Sequence, residues 1–199
     1  MTPILLATRN PKKLDELRRI LAPLPTLEVI GLADVPAFPE KPETGATFEE
    51  NALAKARDAV TATGLITVAE DSGLSIDALN GMPGVLSARW SGTHGQDEAN
   101  NTLVLAQLAD VPDDRRGAAF ICAAALVTPT GAETIVRGEW PGTINHAPRG
   151  GNGFGYDPIF VPDGETRTSA ELSPDEKDEH SHRGRALRKL VTHLMDAIK

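Results

Sequence analysis

The chain has 199 residues, with 20 Lys and Arg against 28 Asp and Glu, for a formal net charge of −8. That balance argues against a general nucleic-acid binder, whose affinity rests on cations meeting phosphates, but it leaves room for a local basic pocket. Hydrophobic residues make up 40% and charged residues 24%, which excludes global disorder and suits one globular domain over 1–199.

Ile4-Leu5-Leu6-Ala7 is a short apolar run and reads as a buried strand. Asn10-Pro11 then starts a helix, with Asn as the cap and Pro at the first helical position. Leu14, Leu17, Ile20 and Leu21 follow at helical spacing, and Pro23 and Pro25 end the helix. Leu27–Ile30 is a second strand, and Val35–Gly45, rich in Pro and acid, reads as a loop. Thr47-Phe48-Glu49-Glu50 is a capping box; Leu53, Ala56 and Val60 give its helix a packing face, and Gly64 stops it. Ile66–Ala69 is an apolar strand expected to end at Glu70-Asp71-Ser72-Gly73, with Leu74–Leu79 as a further strand.

Gly81–Arg89 is rich in turn residues, and Gln96–Leu108 reads as a helix. Gly117–Thr128 and Glu133–Trp140 flank Pro129-Thr130-Gly131 as a long hairpin. The single cysteine, Cys122, lies in the first of these runs, so a buried structural thiol is expected rather than a nucleophile. Gly150–Gly155 is a glycine loop, and Pro158–Val161 a short strand. Ser173-Pro174-Asp175-Glu176 is a second capping box, and Arg185–Ile198 closes the chain as an amphipathic helix. Together these elements indicate an α/β fold, a mixed sheet with flanking helices. No apolar run approaches the ~18 residues of a membrane span, and Met1–Thr8 is too short for a signal-peptide core, so a cytoplasmic location is expected.

Four stretches could carry chemistry. Thr8-Arg9-Asn10-Pro11-Lys12-Lys13 joins a strand to a helix N-terminus, where free N–H groups attract anions. Lysines there, left unpaired, destabilise a helix by a few tenths of a kcal/mol, and an anionic ligand reverses the sign. Solvated lysines and a phosphate loop both remain open, and the Walker pattern is absent. Glu70-Asp71 sets two carboxylates at the end of an apolar strand, which suits a magnesium ligand and a base; a plain acidic turn is the alternative.

Gly150-Gly151-Asn152-Gly153-Phe154-Gly155-Tyr156-Asp157 lets backbone approach a flat group closely, with Phe154 and Tyr156 as stacking faces or as core aromatics. Lys177, His180, Ser181, His182 and Arg183 form a charged segment that is equally readable as solvated surface. Lysines for phosphate, carboxylates for magnesium and an aromatic glycine loop for a base together describe a nucleoside triphosphate site.

On these residues, with Glu43-Thr44-Gly45, Phe48-Glu49-Glu50-Asn51-Ala52, Lys55-Ala56, Gly84 to Trp90 and Ser181-His182-Arg183-Gly184, the sequence resembles the inosine/xanthosine triphosphate pyrophosphatase family from Leu5 almost to its C-terminus. The resemblance implies two lobes around a central cleft, a homodimer, and magnesium-dependent hydrolysis of deaminated purine triphosphates (ITP, dITP, XTP) to monophosphate and pyrophosphate. It puts the phosphate loop on Thr8 through Lys13 and the water-activating, metal-binding acid on Asp71, with Glu43 and Glu70 as further metal ligands. Substrate contacts fall on Lys55, Ser72, Phe154, Gly155, Tyr156, Asp157, Lys177, His182 and Arg183. Many bacterial relatives carry Asp-Asp where this chain has Glu70-Asp71, a change that keeps the charge and adds a methylene.

The implied chemistry follows from charge. Lys13, Lys55 and Lys177 would neutralise a triphosphate that otherwise repels nucleophiles, and Arg183, which has donors only, would pair with the 6-oxygen that adenine lacks. Other readings are a pyrophosphatase for other modified nucleotides, or a non-catalytic nucleotide-binding module. Neither nucleic acid nor membrane is expected as a partner.

Overall fold

A computed structural model describes residues 2–22, 27–39 and 41–198. Strand β1 (Thr2–Leu6) leads into helix α1 (Pro11–Leu21), then β2 (Leu27–Gly31), α2 (Phe48–Thr63) and β3 (Ile66–Ile76). Helix α3 (Asp97–Gln107) precedes the long strands β4 (Gly117–Val127) and β5 (Glu133–Ile144), the short β6 (Phe160–Pro162), and helices α4 (Pro174–His180) and α5 (His182–Ala197). One mixed six-stranded sheet runs β2-β1-β3-β4-β5-β6. The β1 strand pairs in parallel with both β2 and β3, whereas β5 and β6 are antiparallel. The expected α/β fold, a mixed sheet with flanking helices, is what the chain forms. No described helix is long and apolar enough to cross a membrane.

The chain divides into two compact units, each assembled from separate stretches of sequence. The first comprises Met1–Asp71, Cys122–Gly138 and Arg183–Lys199; the second comprises Ser72–Ile121 and Glu139–His182. The first core gathers Ile4, Leu6, Leu17, Val68, Leu187 and Leu190. The second gathers Leu74, Ile76, Val104, Phe120, Ile159 and Phe160. Cys122 is fully buried in the first core, as its apolar surroundings in sequence predict.

Several elements differ from their expected extents; β5 runs past Trp140 to Ile144, and Asp77–Leu79, expected to close a strand, forms a 3-10 turn. The acidic stretch does not break the strand: β3 continues through Glu70-Asp71-Ser72-Gly73 to Ile76. A side chain at Gly73 would come within 2.6 Å of the Gly84 carbonyl, so only glycine lets the strand pass there. The closing helix begins at His182, not Arg185, because Ser181, extended at φ −65° and ψ 159°, separates α4 from α5. Pro158 and Ile159 form a 3-10 turn with Asp157, and β6 starts at Phe160. Pro23 and Pro25, the expected end of α1, lie outside the described residues.

Candidate active site

In the first unit the start of α1 is built as its sequence predicts. The Asn10 side chain accepts from the backbone N–H groups of Lys12 and Lys13 at 3.0 and 3.3 Å, Pro11 opens the helix, and its first turn contains no acid. The Thr8 hydroxyl accepts from the Asn10 N–H, and Arg9 donates to the Phe38 carbonyl. Lys12 lies on an exposed face. Lys13 does not: its ammonium lies 2.6 Å from Glu70, whose side chain is 1% exposed. The helix-start penalty expected for an unpaired lysine therefore does not apply, because a buried carboxylate already balances it.

Glu70 is the centre of a buried charge network. Arg183, from the first turn of α5, lies 3.7 Å from Glu70 through Nε and 2.9 Å from Glu16 of α1 through Nη1. Burial pushes the Glu70 carboxyl up, but Lys13, Arg183 and Lys55 outweigh it and hold it far below the usual carboxylate range. Two anions and two cations from α1, β3 and α5 thus share one buried site. The Cys122 thiol lies 3.7 Å from Glu70, and burial, which pushes its pKa up, fits a structural thiol.

Asp71, the next residue, meets different partners. Its Oδ1 lies 3.1 Å from Lys55 Nζ, and its Oδ2 accepts from Asn51 Nδ2 at 3.0 Å. Both partners come from α2, one turn apart on the same face. Burial raises the Asp71 carboxyl, Lys55 opposes it, and Glu43 with Glu70 pushes it up again; the net shift is upward. A carboxylate with a raised pKa is a better proton acceptor near neutrality. For Lys55, burial acts downward, but Asp71, Glu70 and Glu43 prevail and keep it an ammonium.

Sequence reasoning gave Asn51 and Glu16 no role. Asn51 is 2% exposed and bridges Asp71 to the Glu43–Gly45 segment by accepting from the Gly45 N–H at 2.8 Å. Its signal was an amide on the alanine face of a helix; that of Glu16 was an acid beside Leu17 on the apolar face of α1.

The donors around Asp71 bear on magnesium, the ion that the resemblance implies. Lys55 Nζ donates to Glu43 Oε1 at 2.9 Å as well as contacting Asp71, so two carboxylates already converge on one cation. Among the described residues no three His, Cys, Asp or Glu side chains form a metal cage. Magnesium needs only one or two protein carboxylates when phosphate and water complete its shell, so Asp71 and Glu43 fit it. Glu70 is instead engaged by Lys13 and Arg183.

In the second unit the glycine loop is organised by Asp157. Its carboxylate accepts from the Phe154 N–H at 2.8 Å, from Ser169 Oγ at 2.8 Å, and from the Lys177 ammonium. Lys177, buried on α4, also lies 5.4 Å from the centroid of the half-buried Phe154 ring. Its charge therefore sits with the loop. Tyr156 is a core residue, 4% exposed, whose hydroxyl donates to the Ser87 carbonyl at 2.8 Å; of the two loop aromatics only Phe154 offers a ring face. Gly155 is half-buried within the loop, and Ser72 is half-buried in β3. His182 is buried and stacks on Phe120, with centroids 4.9 Å apart, so the neighbours His182 and Arg183 serve different units.

Residues 4–193 match the Ham1 family. A dITP/XTP pyrophosphatase of Nocardia farcinica is 67% identical over 200 residues, covering 100% of this chain and 95% of that protein. The crystal structure of a nucleoside-triphosphatase (dITP/XTP pyrophosphatase) from Mycobacterium abscessus is 63% identical, covers 95% of this chain and 98% of its own, and superposes with a TM-score of 0.79. A HAM1 protein from Coxiella burnetii is 45% identical, with a TM-score of 0.89 over 99% of this chain and 100% of its own. The chain belongs to the Ham1 family, in agreement with the motifs that run from its first strand to its last helix.

Proposed function

We propose that this chain hydrolyses deaminated purine nucleoside triphosphates, dITP, ITP and XTP, to the monophosphate and pyrophosphate, and so removes them from nucleic-acid precursor pools. The observation that carries the reading is Asp71: a buried carboxylate held by Asn51 and Lys55, one residue from a buried carboxylate that anchors Lys13. The names of the full-length relatives support the substrate class. The proposal includes magnesium dependence, a homodimer and a cytoplasmic location.

Lys13 and Lys55 lower the charge of the triphosphate, and the positive end of the α1 dipole adds to the attraction. Magnesium on Asp71 and Glu43 would add positive charge at the phosphates. Asp71 accepts a proton from the attacking water as its oxygen bonds to the α-phosphorus. The bond from that phosphorus to the bridging oxygen breaks, and pyrophosphate leaves with its charge held by the lysines. Phe154 stacks on the base, with Asp157 and Lys177 fixing the loop. Arg183 and His182 would complete the substrate contacts; both are buried in the free chain, so the donor-only guanidinium would exchange Glu16 for the 6-oxygen.

The test is pyrophosphate release from a panel of triphosphates with and without magnesium. Release from dITP, ITP and XTP far above that from ATP, and only with magnesium, is expected. Equal rates on all purines would remove the substrate assignment.

A further inference from the structure

Helix α3 grips the loop that carries Phe154 at two points. The Gly155 N–H donates to Asp97 Oδ2 at 2.7 Å, and the Gly155 carbonyl accepts from Asn101 Nδ2 at 3.0 Å. Asp97 opens α3 and Asn101 follows one turn later, so both reach out from one face of the helix. The residue they hold is in the left-handed region, at φ +63°, where a side chain is strained. The peptide on the other side of Phe154 is held too, since the Phe154 N–H donates to Asp157. Both backbone torsions of Phe154 are therefore fixed by carboxylates, and with them the direction in which its ring leaves the chain.

Asn101 shows that this grip is not simple core packing. It is 6% exposed, and its Oδ1 is buried with no hydrogen-bond partner among the described residues. A buried amide left half-satisfied costs stability that an apolar residue of the same shape would not. What the amide provides is the bond to Gly155.

We propose that Asp97 and Asn101 are positioning residues that hold the Phe154 ring ready to stack on the purine. This rests on the base-stacking role given to Phe154 above. Neither residue touches the reacting atoms, so the expected signature is weaker nucleotide binding with chemistry intact: KM for dITP raised, kcat little changed.

The experiment compares Asn101→Leu, Phe154→Ala and the double variant by dITP kinetics and by calorimetric Kd for deoxyinosine monophosphate, after thermal unfolding confirms that each is folded. Asn101→Leu and Phe154→Ala should each weaken binding by about tenfold, within the range of one base–aromatic stack. The double variant should be no weaker than Phe154→Ala alone, because the clamp has nothing left to position. Losses that multiply would show that Asn101 acts elsewhere and overturn the clamp while leaving the stacking role standing. An unaltered Phe154→Ala would overturn both. Should Asn101→Leu not fold, Asp97→Ala tests the same grip: it should raise KM, and Asp97→Asn, which keeps an acceptor oxygen, should recover most of the loss. Equal behaviour of Asp97→Ala and wild type would overturn the proposal.

Discussion

Asp71 and Lys13 illustrate what neighbouring charges do to a single residue. Asp71→Asn keeps the shape and an oxygen to accept from Asn51 but removes the proton acceptor. Turnover should fall by about 10²–10⁴-fold, the usual contribution of a positioned acid or base, with an unaltered circular dichroism spectrum. Near-normal pyrophosphate release from the folded variant would remove Asp71 from the mechanism. For Lys13 the structure reverses an expectation. Read from sequence, a lysine in the first turn of a helix opposes the dipole, and its removal should slightly stabilise the free protein. In the fold that lysine balances Glu70, whose side chain is 1% exposed. Lys13→Ala should therefore destabilise the protein by about 1.5–3 kcal/mol, the cost of losing a hydrogen bond to a buried charged group. Chemical denaturation without nucleotide reads this directly, and a variant as stable as wild type would contradict the pairing.

At the level of elements, what the sequence made legible was local. The Asn10-Pro11 start of α1, the Thr47 cap of α2 and the Ser173 capping box all form where residue type and spacing place them. What was not legible depended on partners far along the chain. Glu70-Asp71-Ser72-Gly73 has the composition of a turn; it remains strand because Lys13, Lys55, Asn51 and Arg183 neutralise or bond its carboxylates. Tyr156 reads from sequence as either a stacking ring or a core aromatic, and the Ser87 carbonyl, 69 residues away, decides for the core by accepting from its hydroxyl. The same dependence makes the segment before α2 sensitive. A Cβ on Gly45 would lie 2.6 Å from Asn51 Oδ1 and 2.8 Å from Glu50 Cβ. Gly45→Ala should push Asn51 away from Asp71 and lower kcat by about tenfold, since small misplacements at a reacting group carry costs of that order or more. Unchanged kcat would mean that Asn51 does not orient the base.

On the scale of the whole molecule, neither unit depends on a metal for its core. Each has its own apolar cluster, and the buried carboxylates of the first are met by the protein's own cations. Domains that need an ion to fold lack this compensation, and chelators unfold them. Here the positive charge that offsets Glu16, Glu70 and Asp71 comes from Arg183, Lys13 and Lys55. The proposed magnesium would be needed only when a triphosphate brings in further negative charge. Exhaustive chelation should then abolish pyrophosphate release from dITP while moving Tm by no more than about 1–2 °C, since a weakly held ion adds little through mass action. Returning magnesium should restore the full rate without a refolding step. Cooperative unfolding on chelation would make the ion structural and contradict the charge balance described here; undiminished activity would show that the lysines suffice without a metal.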